Sequence, residues 1–136
     1  MIQIKDLLEV IPFLIIAFSA TFILLLEVII KKSETVIFGF SLMAIAAAIV
    51  TSFNYFNKEM IIFNQFLRIS NASLTFSVII LISMLITVIA SKSYIEKENV
   101  NFGEYYSMLL FALMGMMLMI FANDILIIFI GLELMS

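Results

Sequence analysis

Residues 74–91 read LTFSVIILISMLITVIAS. The stretch holds no Asp, Glu, Lys or Arg, and charges return directly after it in KSYIEKE. A helix that is apolar on every side belongs in a core or in lipid. A run of this length matches the roughly 20 residues that cross about 30 Å of hydrocarbon. Residues 74–91 are therefore expected to span a bilayer, and the rest of the chain supports that solvent. Hydrophobic residues make up 65% of its 136 positions and charged residues 12%, with a mean hydropathy of +1.25. A soluble domain of this size has more surface than so few polar groups can cover.

Composition also narrows the chemistry. Histidine and cysteine are both absent. Haem, iron–sulfur and Cys/His zinc sites built by this chain alone are thus excluded, as are disulfides. The net charge of −3 argues against a nucleic-acid partner, which favours a basic surface.

Upstream of residues 74–91, the run 12–30 (PFLIIAFSATFILLLEVII) is expected to be the first span. Pro12 suits a helix start, where its missing N–H costs nothing. The preceding LLEVI is expected at the interface, and Lys31 and Lys32 close the span. Lys5, Asp6 and Glu9 precede the run and no small-residue cleavage site follows it, so it is expected to be retained rather than cleaved. Glu27 lies four residues before Lys31, a favourable helical pairing that suggests an interfacial role. The second span is expected over residues 35–53. Its Ala44, Ala46, Ala47 and Ala48 would let a neighbouring helix approach closely. Residues 54–73 mix polar groups with the short apolar MIIF and are expected to form a loop on the membrane surface. The Asn71–Ala72–Ser73 triplet matches a glycosylation acceptor, a pattern loose enough to arise by chance.

Downstream, residues 92–104 read as a charged connector. Asn101 and Glu104 have N-cap and N3 spacing, so a helix should begin just after Asn101. The fourth span is expected over residues 105–122, followed by a very short turn at Asn123–Asp124 and the start of a fifth apolar run over residues 125–136. Met114, Met116, Met117 and Met119 do not converge on one face and read as packing residues rather than a metal site. The expected fold is all-α: a polytopic transmembrane helix bundle with four complete spans and a truncated fifth, forming part of one membrane domain. With the N-terminus outside, the inner connectors carry Lys31, Lys32, Lys92 and Lys97, and the outer segments carry Lys5, Lys58 and Arg68.

One carboxylate stands out. Glu133 sits nine residues past Asp124, about 13 Å into the membrane at about 1.5 Å per residue, near the hydrocarbon's middle. Its helical neighbours Ile130, Phe129 and Leu126 cannot pair with it, and the four expected spans hold no Lys or Arg. An ionised acid at that depth is costly unless a cation meets it, so it is a candidate functional group. The cation is expected from sequence beyond these residues or from another subunit. Twelve residues of helix reach about 18 Å, short of a full crossing, so the chain is expected to be the N-terminal piece of a longer protein. Wetting of Glu133 at a bent chain end is the bland alternative.

Residues 103–136, GEYYSMLLFALMGMMLMIFANDILIIFIGLELMS, resemble subunit N of proton-translocating NADH-quinone oxidoreductase, the antiporter-like family of bacterial complex I. The resemblance rests on Gly103–Glu104–Tyr105, Gly115–Met116–Met117, Asn123–Asp124 and above all GLELMS, with KSYIE and the order of spans in support. It implies a multi-pass protein of the bacterial cytoplasmic (inner) membrane, in a translocase that couples NADH oxidation by quinone to proton movement. Glu133 matches the family's intramembrane glutamate, a charge gate on the proton path that pairs with a lysine on a later span. The acidic position of the family's outer loop is matched here by Asn64. No cofactor is expected in this chain; flavin and iron–sulfur clusters are expected in partner subunits. The expected partners are the other membrane subunits, the lipid bilayer, and the quinone and NADH used by the whole complex. The 136 residues alone are expected to be inactive.

Two other functions compete. A cation/proton antiporter or membrane-bound hydrogenase subunit would share this ancestry. The M- and L-like relatives usually carry tryptophan just before the glutamate, where this chain has Leu132, which favours the N type. A non-transporting scaffold subunit would suit the small-residue helix faces, and Glu133 counts against it.

Overall fold

Long apolar runs bounded by charges or turn residues give helices here, and the helices carry nearly all of the structure. A computed structural model describes residues 10–29, 34–62, 64–98 and 102–136. In chain order the elements are α1 (Ile11–Ile29), α2 (Glu34–Phe53), β1 (Met60–Ile62), β2 (Leu67–Ile69), α3 (Asn71–Glu98), α4 (Phe102–Phe121) and α5 (Ile125–Met135). Among the described residues, α2, α3 and α4 are long and apolar enough to cross a membrane. The apolar helical segments Ile11–Leu26 and Ile125–Met135 are shorter.

Helices α1 to α4 pack as a bundle. Helix α1 touches α2 and α4, α3 closes the other side against α2 and α4, and α2 also meets α4 across the middle. The core-facing residues recur at helical spacing: Leu74, Leu81 and Val88 on α3, and Tyr106, Leu110, Leu113 and Met117 on α4. Against them stand Ile16 and Ile23 of α1 and Ile37 and Ile45 of α2, all fully buried. Helix α1 begins at Ile11, so Pro12 lies in its first turn as expected. Helix α4 begins at Phe102, where the expected cap places it, although Asn101 itself lies outside the described residues. The expected Glu27–Lys31 pairing and residues 7–9 of the expected interfacial LLEVI segment also lie outside what is described.

Three details depart from the sequence reading. First, α3 does not stop at Ser91 but continues to Glu98. Its 28 residues rise about 42 Å, more than the hydrocarbon needs. The extra turns hold because Ile95 is fully buried, Lys92 pairs with Glu96 at 4.0 Å, and the Lys92 ammonium sits 4.8 Å from the Phe38 ring centroid. Second, of the four alanines, Ala44 and Ala48 are buried but Ala46 and Ala47 are exposed. Third, residues 54–70 are not a plain loop. They contain an antiparallel hairpin with Met60 opposite Ile69, Ile61 opposite Arg68 and Ile62 opposite Leu67. The two-residue strand period buries Ile62 and Ile69 and leaves Ile61 exposed.

The hairpin is tied at both ends. Asn57, at φ 66°, donates its backbone N–H to Asn71 Oδ1 at 2.8 Å, and Asn71 Nδ2 returns to Asn57 Oδ1 at 3.4 Å. On the other side, Leu67 bridges to Ala122 at the end of α4. Asn123 donates its backbone N–H to the Phe66 carbonyl at 2.9 Å and its side-chain amide to the Gln65 carbonyl at 2.8 Å.

Candidate functional site

The site residue singled out by sequence is carried by α5, and local chemistry starts that helix cleanly. Asp124 is the N-cap, with extended backbone, and its side chain accepts the Leu126 N–H at 2.8 Å. That satisfies one of the orphan donors of the first turn.

Two glycines then seat α5 against α4. A Cβ placed on Gly115 would lie 2.6 Å from the Gly131 carbonyl oxygen and 2.7 Å from the Met135 nitrogen. One placed on Gly131 would lie 2.8 Å from the Gly115 carbonyl and 2.7 Å from Met119 Cγ. The helices thus meet backbone to backbone, the approach that small residues allow between helices in lipid. This contact had a signal in the sequence: Gly115 and Gly131 lie eight positions on either side of Asn123 (123 − 115 = 131 − 123). Across a tight turn they fall at the same level.

The glycine contact decides where Glu133 points. Gly131 is buried against α4, and Glu133 is two residues further on, about 200° around the helix. It therefore faces away from α4 and is exposed on the outer face of the structure. Among the described residues no cation pairs with it; the ion pair present is Lys92–Glu96. Exposed Phe129, Ile130 and Leu132 surround it on the same helix, so the carboxylate projects from an otherwise apolar surface. No group of three acidic residues among the described residues could hold a metal ion. Of the four methionines, Met117 is fully buried, and Met114 and Met116 lie against the core.

A second feature is an open groove of about 640 Å³ between α1 and α2, walled by Phe18, Phe22, Leu25, Phe40 and Met43. Its hydroxyls are already engaged. Ser19 donates to the Ile16 carbonyl at 2.9 Å and Thr21 to the Phe18 carbonyl at 3.0 Å. The groove presents no set of convergent polar groups of the kind that orients a substrate.

No protein-family model matches the chain. Individual proteins do. It is 36% identical over 141 residues to NADH-quinone oxidoreductase subunit N of Leptospira interrogans, covering 98% of this chain and 27% of that protein. It is 32% identical over 135 residues to subunit N of Trichlorobacter lovleyi, covering 98% and 28%. The chain is a homologue of NADH-quinone oxidoreductase subunit N. A shorter match to subunit N of Desulfitobacterium hafniense reaches 43% identity over 61 residues, which is 45% of this chain. The chain spans little more than a quarter of the length of the subunit N proteins it matches along its whole length.

Proposed function

We propose that this chain is part of a multi-pass membrane subunit of an NADH-quinone oxidoreductase, located in a bacterial cytoplasmic membrane, where it contributes to proton translocation. The observation that carries the reading is the end-to-end similarity to subunit N proteins. The apolar bundle and its outward-facing acid agree with it. In this reading α1 to α4 are four complete spans and α5 begins a fifth. The partners are other membrane subunits of the complex, and the flavin and iron–sulfur centres reside in other subunits. The 136 residues alone move no protons, because Glu133 has no cationic partner among those described. Deleting the full-length protein's gene should abolish NADH-driven, quinone-dependent proton pumping in inverted membrane vesicles. Wild-type pumping in the deletion strain refutes the assignment.

Glu133 serves in this reading as a charge gate rather than as an acid acting on a substrate. Its negative charge stabilises a protonated lysine on a neighbouring span, and weakening the pair lowers that lysine's hold on its proton. The N-terminus lies outside, so Lys58 is outside while Ser33 and Glu98 are inside. Single Ser33→Cys, Lys58→Cys and Glu98→Cys variants test the arrangement with a membrane-impermeant thiol reagent. Lys58→Cys should react from the side opposite to the other two. Reaction of all three from one side overturns the span count.

A further inference from the structure

The glycine contact fixes how closely α5 approaches α4, but beside the two backbones its key is the flexible Met119 side chain. Two smooth backbones can slide past one another. Something else must set how deep α5 sits, and the hairpin end of the bundle supplies it.

Two attachments grip the turn between α4 and α5: the Asn123 N–H on Phe66, which belongs to the Leu67–Ala122 bridge, and the Asn123 side-chain amide on Gln65. The acceptors belong to a strained loop. Asn64 and Gln65 both hold left-handed backbone, at φ 55° and 75°, and neither is glycine. Such a pair persists where surrounding contacts over-determine it, and here the contacts run to Asn123. Directly afterwards, Asp124 caps α5. The hairpin, the turn and the cap therefore form one continuous fastening, and any axial slip at Asn123 reaches Glu133 undiminished along a rigid helix.

We propose that residues 64–69 and Asn123 form a strap that fixes the depth of α5, making Asn123 a positioning residue that acts through Glu133. The functional half of this proposal rests on the charge-gate reading above. The structural half does not, and the two are measured separately.

The test uses the full-length protein assembled in its complex. Asn123→Ala removes the amide donor but keeps the backbone N–H. Amide hydrogen exchange over residues 125–128 should then rise by about fivefold, the equivalent of one net hydrogen bond. Pumping per assembled complex should fall by about tenfold, since a displacement near 1 Å at a reacting group can cost more than that. Adding Asn123→Ala to Glu133→Gln should cost nothing further. Phe66 and Asn123 are joined by the Asn123 backbone N–H on the Phe66 carbonyl at 2.9 Å, and a disulfide spans Cα atoms about 4.4–6.8 Å apart. The Phe66→Cys/Asn123→Cys double variant should thus restore exchange protection and pumping when oxidised and lose both when reduced. Unchanged exchange in Asn123→Ala overturns the strap, whatever the activity. Raised exchange with wild-type pumping overturns the positioning role. Wild-type pumping in Glu133→Gln alone overturns the charge-gate reading and with it the positioning role, leaving the strap to be decided by exchange.

Discussion

Glu133→Gln in the assembled, full-length protein should lower proton pumping per complex by at least about tenfold, whereas Glu133→Asp should retain most of it. Gln keeps the shape and hydrogen bonding but loses the charge; Asp keeps the charge on a shorter stem. Glu133 faces away from α4 among apolar neighbours, so a cation that meets it does so in a poorly screened setting. An exposed ion pair contributes about 1 kcal/mol or less, while breaking a buried one can cost about 3–5 kcal/mol. The tenfold figure corresponds to about 1.4 kcal/mol and lies between these limits. The sign of the pH effect follows from the charge. Without the carboxylate, a facing ammonium loses its proton at lower pH, so the alkaline limb of the pumping profile should move to lower pH in Glu133→Gln and stay in place in Glu133→Asp. The level of assembled complex must be measured alongside, since an orphaned cation in the bilayer can destabilise the protein by itself. An assembled Glu133→Gln complex that pumps like wild type removes Glu133 from the proton path.

Gly115→Ala should destabilise the protein by about 1–3 kcal/mol, the usual cost of overpacking. The new Cβ would meet the Gly131 carbonyl at 2.6 Å and the Met135 nitrogen at 2.7 Å, and both are backbone. No rotamer change relieves such contacts, so α5 must move away from α4. Gly131→Ala meets the Gly115 carbonyl as well, but its closest contact is the flexible Met119 side chain, so its cost should be smaller. Gly39→Ala is the matched control. It lies inside α2 with nothing within 4 Å of the added carbon. There the helix gains about 0.5–1 kcal/mol from the lost flexibility of glycine. Thermal unfolding of the purified protein in detergent should rank Gly39→Ala at or above wild type, then Gly131→Ala, then Gly115→Ala. A Gly115→Ala midpoint equal to that of Gly39→Ala would show that α4 and α5 do not meet at these residues.

The helices were legible in the sequence because each long apolar run carries its own boundary. Asp124 announced the start of α5, and Asn101 with Glu104 announced the start of α4 near Phe102. The hairpin was not legible. Its strands are three residues each, too short for a two-residue period to show, and its turn uses Asn64 and Gln65 in left-handed backbone without the glycine that would mark it. The overrun of α3 depends on tertiary contacts, with Ile95 covered by the bundle and Lys92 lying on Phe38. A reading of local polarity ends the helix at the first lysine instead. For the candidate site, Glu133 stood out because an acid in an apolar run is rare. The grip of Asn123 did not, because its partners Gln65 and Phe66 are far away in sequence.

The serine and threonine hydroxyls of the helices bear on leakage. Ser19, Ser41, Thr51 and Ser52 each donate to a carbonyl three or four residues back on their own helix. Ser107 reaches across to α1 at 3.1 Å, but it ends on the Ala20 carbonyl, which has no proton to pass on. A proton moving through a hydroxyl relay needs each oxygen to accept from one neighbour and donate to the next. These five hydroxyls end on backbone carbonyls, and leucine, isoleucine and valine fill much of the space between the helices, although the buried Ser77 hydroxyl meets no such acceptor. Under the proposed function, hydroxyls tied down in this way give a proton no relay through their part of the α1–α4 bundle beside Glu133.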